Sequence, residues 1–152
     1  MAAKQWFKKA GGSTTNAFRS GLEDNIAKQL EAKGLPVSFE SHFINYIKPE
    51  TGHKYTPDFV LHNGIIIESK GLFDVEDRKK HLLLHEQYPE LDIRFVFSRS
   101  ASKLYKGAKS TYADWCIKNG FKFADKLIPI DWLKEASRRI PEGMLIPKGG
   151  KK

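Results

Sequence analysis

A chain of 152 residues, 40% hydrophobic and 29% charged, holds enough apolar material for one ordinary core and no run near the ~18 apolar residues of a membrane span. A single cysteine, Cys116, excludes a disulfide framework, suits a reducing cytoplasm, and reads as a small core residue rather than a nucleophile. The formal charge of +8 points to a polyanionic partner and sits at the two ends: residues 1–16 carry three lysines and no acid, and residues 137–152 five bases and one acid. Basic arms of this kind gain affinity from phosphate contacts, with solubility as the bland alternative.

Residues 1–16, with Gly11-Gly12-Ser13-Thr14-Thr15, show no periodicity and no apolar run of a secretory signal. From Ser20 the spacing of Leu22, Ile26 and Leu30 predicts a helix, with Gly34 as its stop. Ser20 and Glu23 fit a capping box, in which the Glu23 side chain reaches back to the Ser20 amide. Val37 to Tyr46 alternates as a strand, with Val37, Phe39 and Phe43 on one face and Ser41 breaking the pattern. Lys48-Pro49-Glu50-Thr51-Gly52-His53 then reads as a connection.

The next stretch organises the chain. Phe59 to Leu61 and Ile65 to Ile67 are short apolar runs around Asn63-Gly64, a strong hairpin signal. A two-residue turn would set Phe59 opposite Glu68. A three-residue loop of His62-Asn63-Gly64, with Gly64 in the left-handed region, sets Leu61 opposite Ile65 and Asp58 opposite Glu68, and this is the predicted register. Opposed carboxylates about 5 Å apart repel unless a cation lies between them. Lys70 follows two residues after Glu68 on the same face. Two carboxylates and a lysine at the mouth of a hairpin suit metal-assisted phosphodiester cleavage, in which hard divalent ions take carboxylate, water and phosphate oxygens. A surface salt bridge is the weaker alternative, because the charges interrupt what would otherwise be buried strand ends.

Asp74 to Asp77 begins a helix predicted to run to Tyr88, with Leu82, Leu83 and Leu84 as its apolar face. Arg78, Lys79, Lys80 and His81, on its other side, are candidate contacts to DNA phosphates. His81 and His85 lack the further ligand pair that zinc would require. Leu91 to Phe97 is the best central strand, followed by a basic loop in which Arg99, Lys103, Lys106 and Lys109 join the candidate DNA contacts. Ser110 is the predicted cap of a helix through Ile117, with Tyr112, Trp115 and Cys116 inward. Phe121 to Phe123 is a short strand, and Asp131 to Lys134 starts a final turn.

Pro57-Asp58, nine residues, then Glu68-Ser69-Lys70 resembles the PD-(D/E)xK signature of restriction-endonuclease-like nucleases. Phe18-Arg19-Ser20-Gly21-Leu22-Glu23-Asp24, Tyr55-Thr56-Pro57-Asp58-Phe59, Asp77-Arg78-Lys79-Lys80-His81-Leu82-Leu83 and Lys122 to Pro129 narrow it: together they resemble the bacteriophage endonuclease I family of Holliday-junction resolvases. The resemblance runs from about Phe18 and weakens after Glu135.

It implies an α/β fold with a restriction-endonuclease-like α-β-β-β-α-β core around a mixed sheet, in a domain-swapped homodimer. Residues 17–140 would form the nuclease domain, with 17–46 exchanged, 47–54 as a bridge and 55–140 as core, between the 1–16 arm and a 141–152 tail. Catalysis would rest on Glu23, Asp58, Glu68 and Lys70. Asp58, Glu68 and the Ser69 carbonyl would hold one Mg2+ or Mn2+ ion, and Asp58 and Glu23 a second. The substrate would be branched DNA in the cytoplasm of an infected host, with neither a small-molecule cofactor nor a membrane partner. A nuclease acting on linear duplex and a non-catalytic DNA-binding module are the rival readings.

Overall fold

The computed structural model describes residues 21–48 and 51–148; the expected basic arm at 1–16, the Ser20 cap and the last four residues lie outside them. Helix α1 (Gly21–Ala32) is followed by β1 (His42–Lys48), β2 (Thr51–Tyr55), β3 (Phe59–Val60) and β4 (Ile66–Lys70). Then come α2 (Val75–Gln87), β5 (Ile93–Phe97), α3 (Tyr112–Asn119), β6 (Phe123–Asp125), α4 (Ile130–Leu133) and β7 (Ile146–Pro147). Among the described residues the fold is mixed α/β with two small sheets. One has strand order β3-β4-β5-β6, with β3 antiparallel to β4 and the rest parallel; the other is antiparallel, in order β2-β1-β7. No helix among the described residues is long and apolar enough to cross a membrane.

The hairpin has the predicted register. Phe59 pairs with Ile67 and Val60 with Ile66, while the Leu61 amide donates to the Ile65 carbonyl at 2.8 Å and the Gly64 amide to the Leu61 carbonyl at 2.9 Å. Gly64 has φ of 89°, and a Cβ there would come within 2.6 Å of the Arg138 carbonyl oxygen. Left-handed strain and this backbone overlap act together, so Gly64→Ala is expected to cost about 2 kcal/mol, read as a lowered denaturant midpoint with an unchanged slope. The buried Asn63 locks the loop from inside, donating through Nδ2 to the Trp132 carbonyl at 2.9 Å and the Glu135 carbonyl at 3.2 Å.

The strand β4 separates the core into layers. Ile67 and Val96 pack with Ile26 and Leu30 of α1 and with Trp132 and Leu133, whereas Ile66 packs with Ile44, Tyr46, Tyr55 and Leu84. Phe73, Phe95, Phe97, Tyr112, Trp115, Cys116 and Phe121 form a third, aromatic cluster. Burial pushes the Cys116 thiol up to about 12, which suits a core residue and not a nucleophile.

Several local expectations shift. The strand read over 37–46 begins as β1 only at His42, and β2, read as a connection, pairs with it from Ile44↔Tyr55 to Lys48↔Thr51. In α2 the Leu82-Leu83-Leu84 face is corrected: Leu84 is buried, Leu82 is exposed, and His81 takes the second inward position. Thr111, not Ser110, caps α3, in a reciprocal box with Asp114. The stretch read as a basic tail supplies β7, whose Ile146 and Pro147 pair with Phe43 and His42.

Candidate active site

Two edges of β3 determine which charged side chains meet. On the inner edge, Asp58 stands one residue before the strand and its Oδ2 accepts from the Ser69 amide at 2.9 Å and the Ser69 hydroxyl at 2.8 Å. On the outer edge runs the segment 38–40, where Phe39 bridges to Phe59 and the Glu40 amide donates to the Asp58 carbonyl at 2.9 Å. Glu40 has φ of 48°, a left-handed conformation uncommon for a glutamate, and the chain turns there from the edge of β3 into β1. Glu23, buried in the first turn of α1, completes the group: one carboxylate oxygen from each of Glu23, Glu40 and Asp58 lies within 4.8 Å of the other two. At this spacing two ionised carboxylates repel by about 3–4 kcal/mol at an effective dielectric near 20, so the group calls for a shared proton or a cation.

Glu68 and Lys70 lie outside that set. Successive residues of β4 alternate, so Ser69 turns toward Asp58 while Glu68 turns toward β2 and α2. Glu68 Oε1 accepts from the Tyr55 hydroxyl at 2.6 Å, and Oε2 is 3.9 Å from the Lys70 ammonium. Lys70 lies nearer to Asp77 Oδ1, at 3.1 Å, and Asp77 also closes the capping box of α2 with Asp74. The single cluster expected from the register is therefore two adjoining halves, with Asp58 between them.

The halves sense each other. Burial pushes Glu68 up to about 8, and the Asp58 charge adds to this against Lys70 and the Tyr55 hydrogen bond. Burial also raises Asp58, opposed by its two bonds from Ser69. Burial pulls Lys70 down, but the Glu68 and Asp77 carboxylates more than offset it and keep the ammonium charged. An all-oxygen donor set of buried carboxylates fits a hard divalent ion such as Mg2+ or Mn2+. Of Ser69, predicted to offer its carbonyl, the structure shows the amide and hydroxyl engaged with Asp58.

A family model described as phage endonuclease I matches residues 1–152. The chain belongs to the phage endonuclease I family. Among its relatives are "Endonuclease I" of Escherichia phage T7 and "Endodeoxyribonuclease 1" of Enterobacteria phage T3, each 57% identical over 136 residues. Both alignments cover 90% of this chain, with 91% of the first relative and 90% of the second.

In this endonuclease I homologue the candidate DNA contacts separate by burial. Lys79, Arg99, Lys103, Lys106 and Lys109 are exposed. Arg78 is half-buried, and its Nη1 donates to the Phe73 carbonyl at 2.7 Å and the Leu104 carbonyl at 3.4 Å, tying the basic loop to the start of α2. Lys80 is half-buried beside Asp77 and over the Tyr55 ring. His81 is corrected outright: fully buried between Tyr55 and Phe95, it presents no surface to a phosphate.

Sequence reasoning missed Glu40 and Tyr55. On a regular strand Glu40 would alternate with Phe39 and face solvent; the break at Ser41 was the only local sign of a bend. Tyr55 enters the sequence reading only within the Tyr55-Thr56-Pro57-Asp58-Phe59 segment, and its contact with Glu68 depends on β2, which local pattern reads as a connection.

Proposed function

We propose that this chain is a metal-dependent, structure-selective endonuclease that hydrolyses phosphodiester bonds in four-way (Holliday) junctions and other branched DNA inside an infected host cell. The observation that carries this reading, beside membership of the family, is the meeting of Glu23, Glu40 and Asp58 next to Glu68 and Lys70 at the open end of one hairpin. The site lies at the carboxyl end of β4, where open α/β sheets present their ligand-binding edge.

Asp58 and Glu68 would hold one divalent ion with the Ser69 carbonyl, and Asp58 and Glu23 a second, with Glu40 near enough to share the latter. Such an ion supplies positive charge against the scissile phosphate and lowers the pKa of its bound water. The protein's own contribution is positional. Ser69 holds Asp58 by two hydrogen bonds, Asp77 and Glu68 hold Lys70 charged, and that ammonium can orient the attacking water or steady charge developing on the phosphate. Lys79, Arg99, Lys103, Lys106 and Lys109 would follow the backbone of the arms, and selectivity would come from branch shape rather than base reading.

The test is Mg2+-dependent cleavage of a synthetic four-way junction beside its linear arms at fixed salt. Preferential cutting of the junction supports the proposal, and equal cutting of linear duplex favours the rival nuclease. No metal binding and no cutting of any branched DNA would leave a non-catalytic binding module.

The proposed active species is a homodimer with residues 17–46 exchanged through a bridge at 47–54. Support for a hinge there is that β1 and β2 are neighbours paired up to Lys48↔Thr51, so an opened hairpin offers both strands to a second copy. Mixed dimers of Glu23→Gln and Glu68→Gln chains test the exchange. With exchange, one site receives both lesions and the other none, so mixing restores cleavage to inactive parents; without it every site carries a lesion and mixing restores nothing.

A further inference from the structure

We propose that Tyr55 is a positioning residue of the nuclease site, holding Glu68 through Oε1 so that Oε2 is the oxygen left for Lys70 and a divalent ion. The inference deepens the reading of Glu68 as a metal ligand and rests on it.

Tyr55 closes β2 opposite Ile44 and is 1% exposed. A buried tyrosine hydroxyl needs an acceptor, and this one has Glu68 Oε1 at 2.6 Å. The ring cannot easily swing away. It packs edge-on against the His81 imidazole, with centroids 5.0 Å apart at 82°, and His81 packs in the same manner on Phe95 at 4.8 Å and 76°. Among the described residues neither His81 ring nitrogen has a hydrogen-bond partner, so this imidazole packs as an aromatic wall and does not compete for the tyrosine hydroxyl. Lys80 covers the ring from α2, with Nζ 5.4 Å from its centroid. A column through β2, α2 and β5 thus fixes a single oxygen atom.

Among the described residues Glu68 has no other anchor of that stiffness, since the Lys70 ammonium is 3.9 Å away on a flexible stem. Groups behind a metal ligand set its orientation, and removing them typically weakens metal binding by about 10–100-fold. Phenylalanine fills the same space, so Tyr55→Phe removes only the hydroxyl.

The experiment compares the full-length wild-type, Tyr55→Phe, Glu68→Gln and doubly substituted chains. Mn2+ affinity is read by calorimetry and the metal dependence of junction cleavage is measured alongside. Tyr55→Phe is expected to bind Mn2+ about 10–100-fold more weakly, to need correspondingly more metal for half-maximal cleavage, and to recover its turnover at saturating metal. In the Glu68→Gln background the same change should leave Mn2+ affinity unaltered, because its effect acts through Glu68. Wild-type affinity in Tyr55→Phe, or an equal loss in both backgrounds, overturns the proposal while leaving the nuclease reading intact. A wild-type chain that bound no Mn2+ would overturn both.

Discussion

Replacing Glu68 by glutamine is expected to slow junction cleavage by about 10³-fold or more while leaving junction binding unchanged. The amide keeps the shape and can still accept from Tyr55, but it removes the negative charge for which a hard cation competes. Binding survives because the phosphate contacts proposed for Lys79, Arg99, Lys103, Lys106 and Lys109 lie on exposed elements. Gel-shift titration in Ca2+ and single-turnover cleavage in Mg2+ read the two quantities separately. A variant cutting at near wild-type rate would remove Glu68 from the site.

The same substitution is expected to raise the stability of the metal-free protein in mild alkali. A carboxylate whose folded pKa is raised contributes stability below its ordinary value and loses that contribution as pH rises through the folded one. For Glu68 this window runs from the ordinary glutamate range up to about 8, driven first by burial and then by Asp58. Glutamine removes the ionisation, so its melting temperature should exceed that of the wild type most clearly near pH 8–9, and Mg2+ should narrow the gap by stabilising the wild type more than the variant, which keeps only the Glu23, Glu40 and Asp58 set. Loss of cleavage with gain of stability is the signature of a charge kept for function.

The hairpin was legible because its register has a discrete physical cause. Only a three-residue loop lets Leu61 meet Ile65, and Gly64 is the residue that can occupy the positive-φ position. The register alone implied one cluster of Asp58, Glu68 and Lys70, whereas Asp58 bonds to Ser69 and meets Glu23 and Glu40, and Glu68 turns to Tyr55. What was not legible is how two neighbouring segments approach it. Glu40 reaches the site because 38–40 lines β3 and then bends out of the strand conformation, a tertiary pairing that local alternation does not encode. The inward turn of His81 is likewise tertiary: a helix offering Lys79, Lys80 and His81 in succession gives no local sign that the third will meet Tyr55 and Phe95. β7 escaped because Ile146-Pro147 is a two-residue strand whose partner lies about a hundred positions away.

Arg94→Met is expected to destabilise the protein by about 3 kcal/mol, the largest stability loss of the substitutions considered. Arg94 sits on β5 at 1% exposure, yet its guanidinium meets two carboxylates side-on: Nε and Nη2 donate to Asp92 at 2.8 Å each, and Nη1 and Nη2 to Glu135 at 2.7 and 2.9 Å. Arg138 joins both acids, and the Trp132 ring lies 5.1 Å below the Arg94 guanidinium carbon. The network ties the central strand to the 132–138 segment, whose carbonyls hold Asn63 and whose Arg138 amide donates to the Asn63 carbonyl at 3.0 Å. Losing Arg94 therefore loosens the support of the hairpin loop as well as leaving two acids without their main partner. Those acids keep roughly 30% side-chain exposure, which places the cost at the low end of that for breaking a buried pair. The pH dependence identifies the cause. Hydrogen bonds from Arg94 and then Arg138 hold Glu135 down to about 2, and although burial alone would raise Asp92, the bonds and charges of the same arginines hold it low. Depressed carboxylates contribute stability above their ordinary range and lose it as pH falls through the folded values. The difference in unfolding free energy between wild type and Arg94→Met should therefore be fullest above about pH 5 and shrink toward pH 2; a difference independent of pH would assign the loss to packing alone.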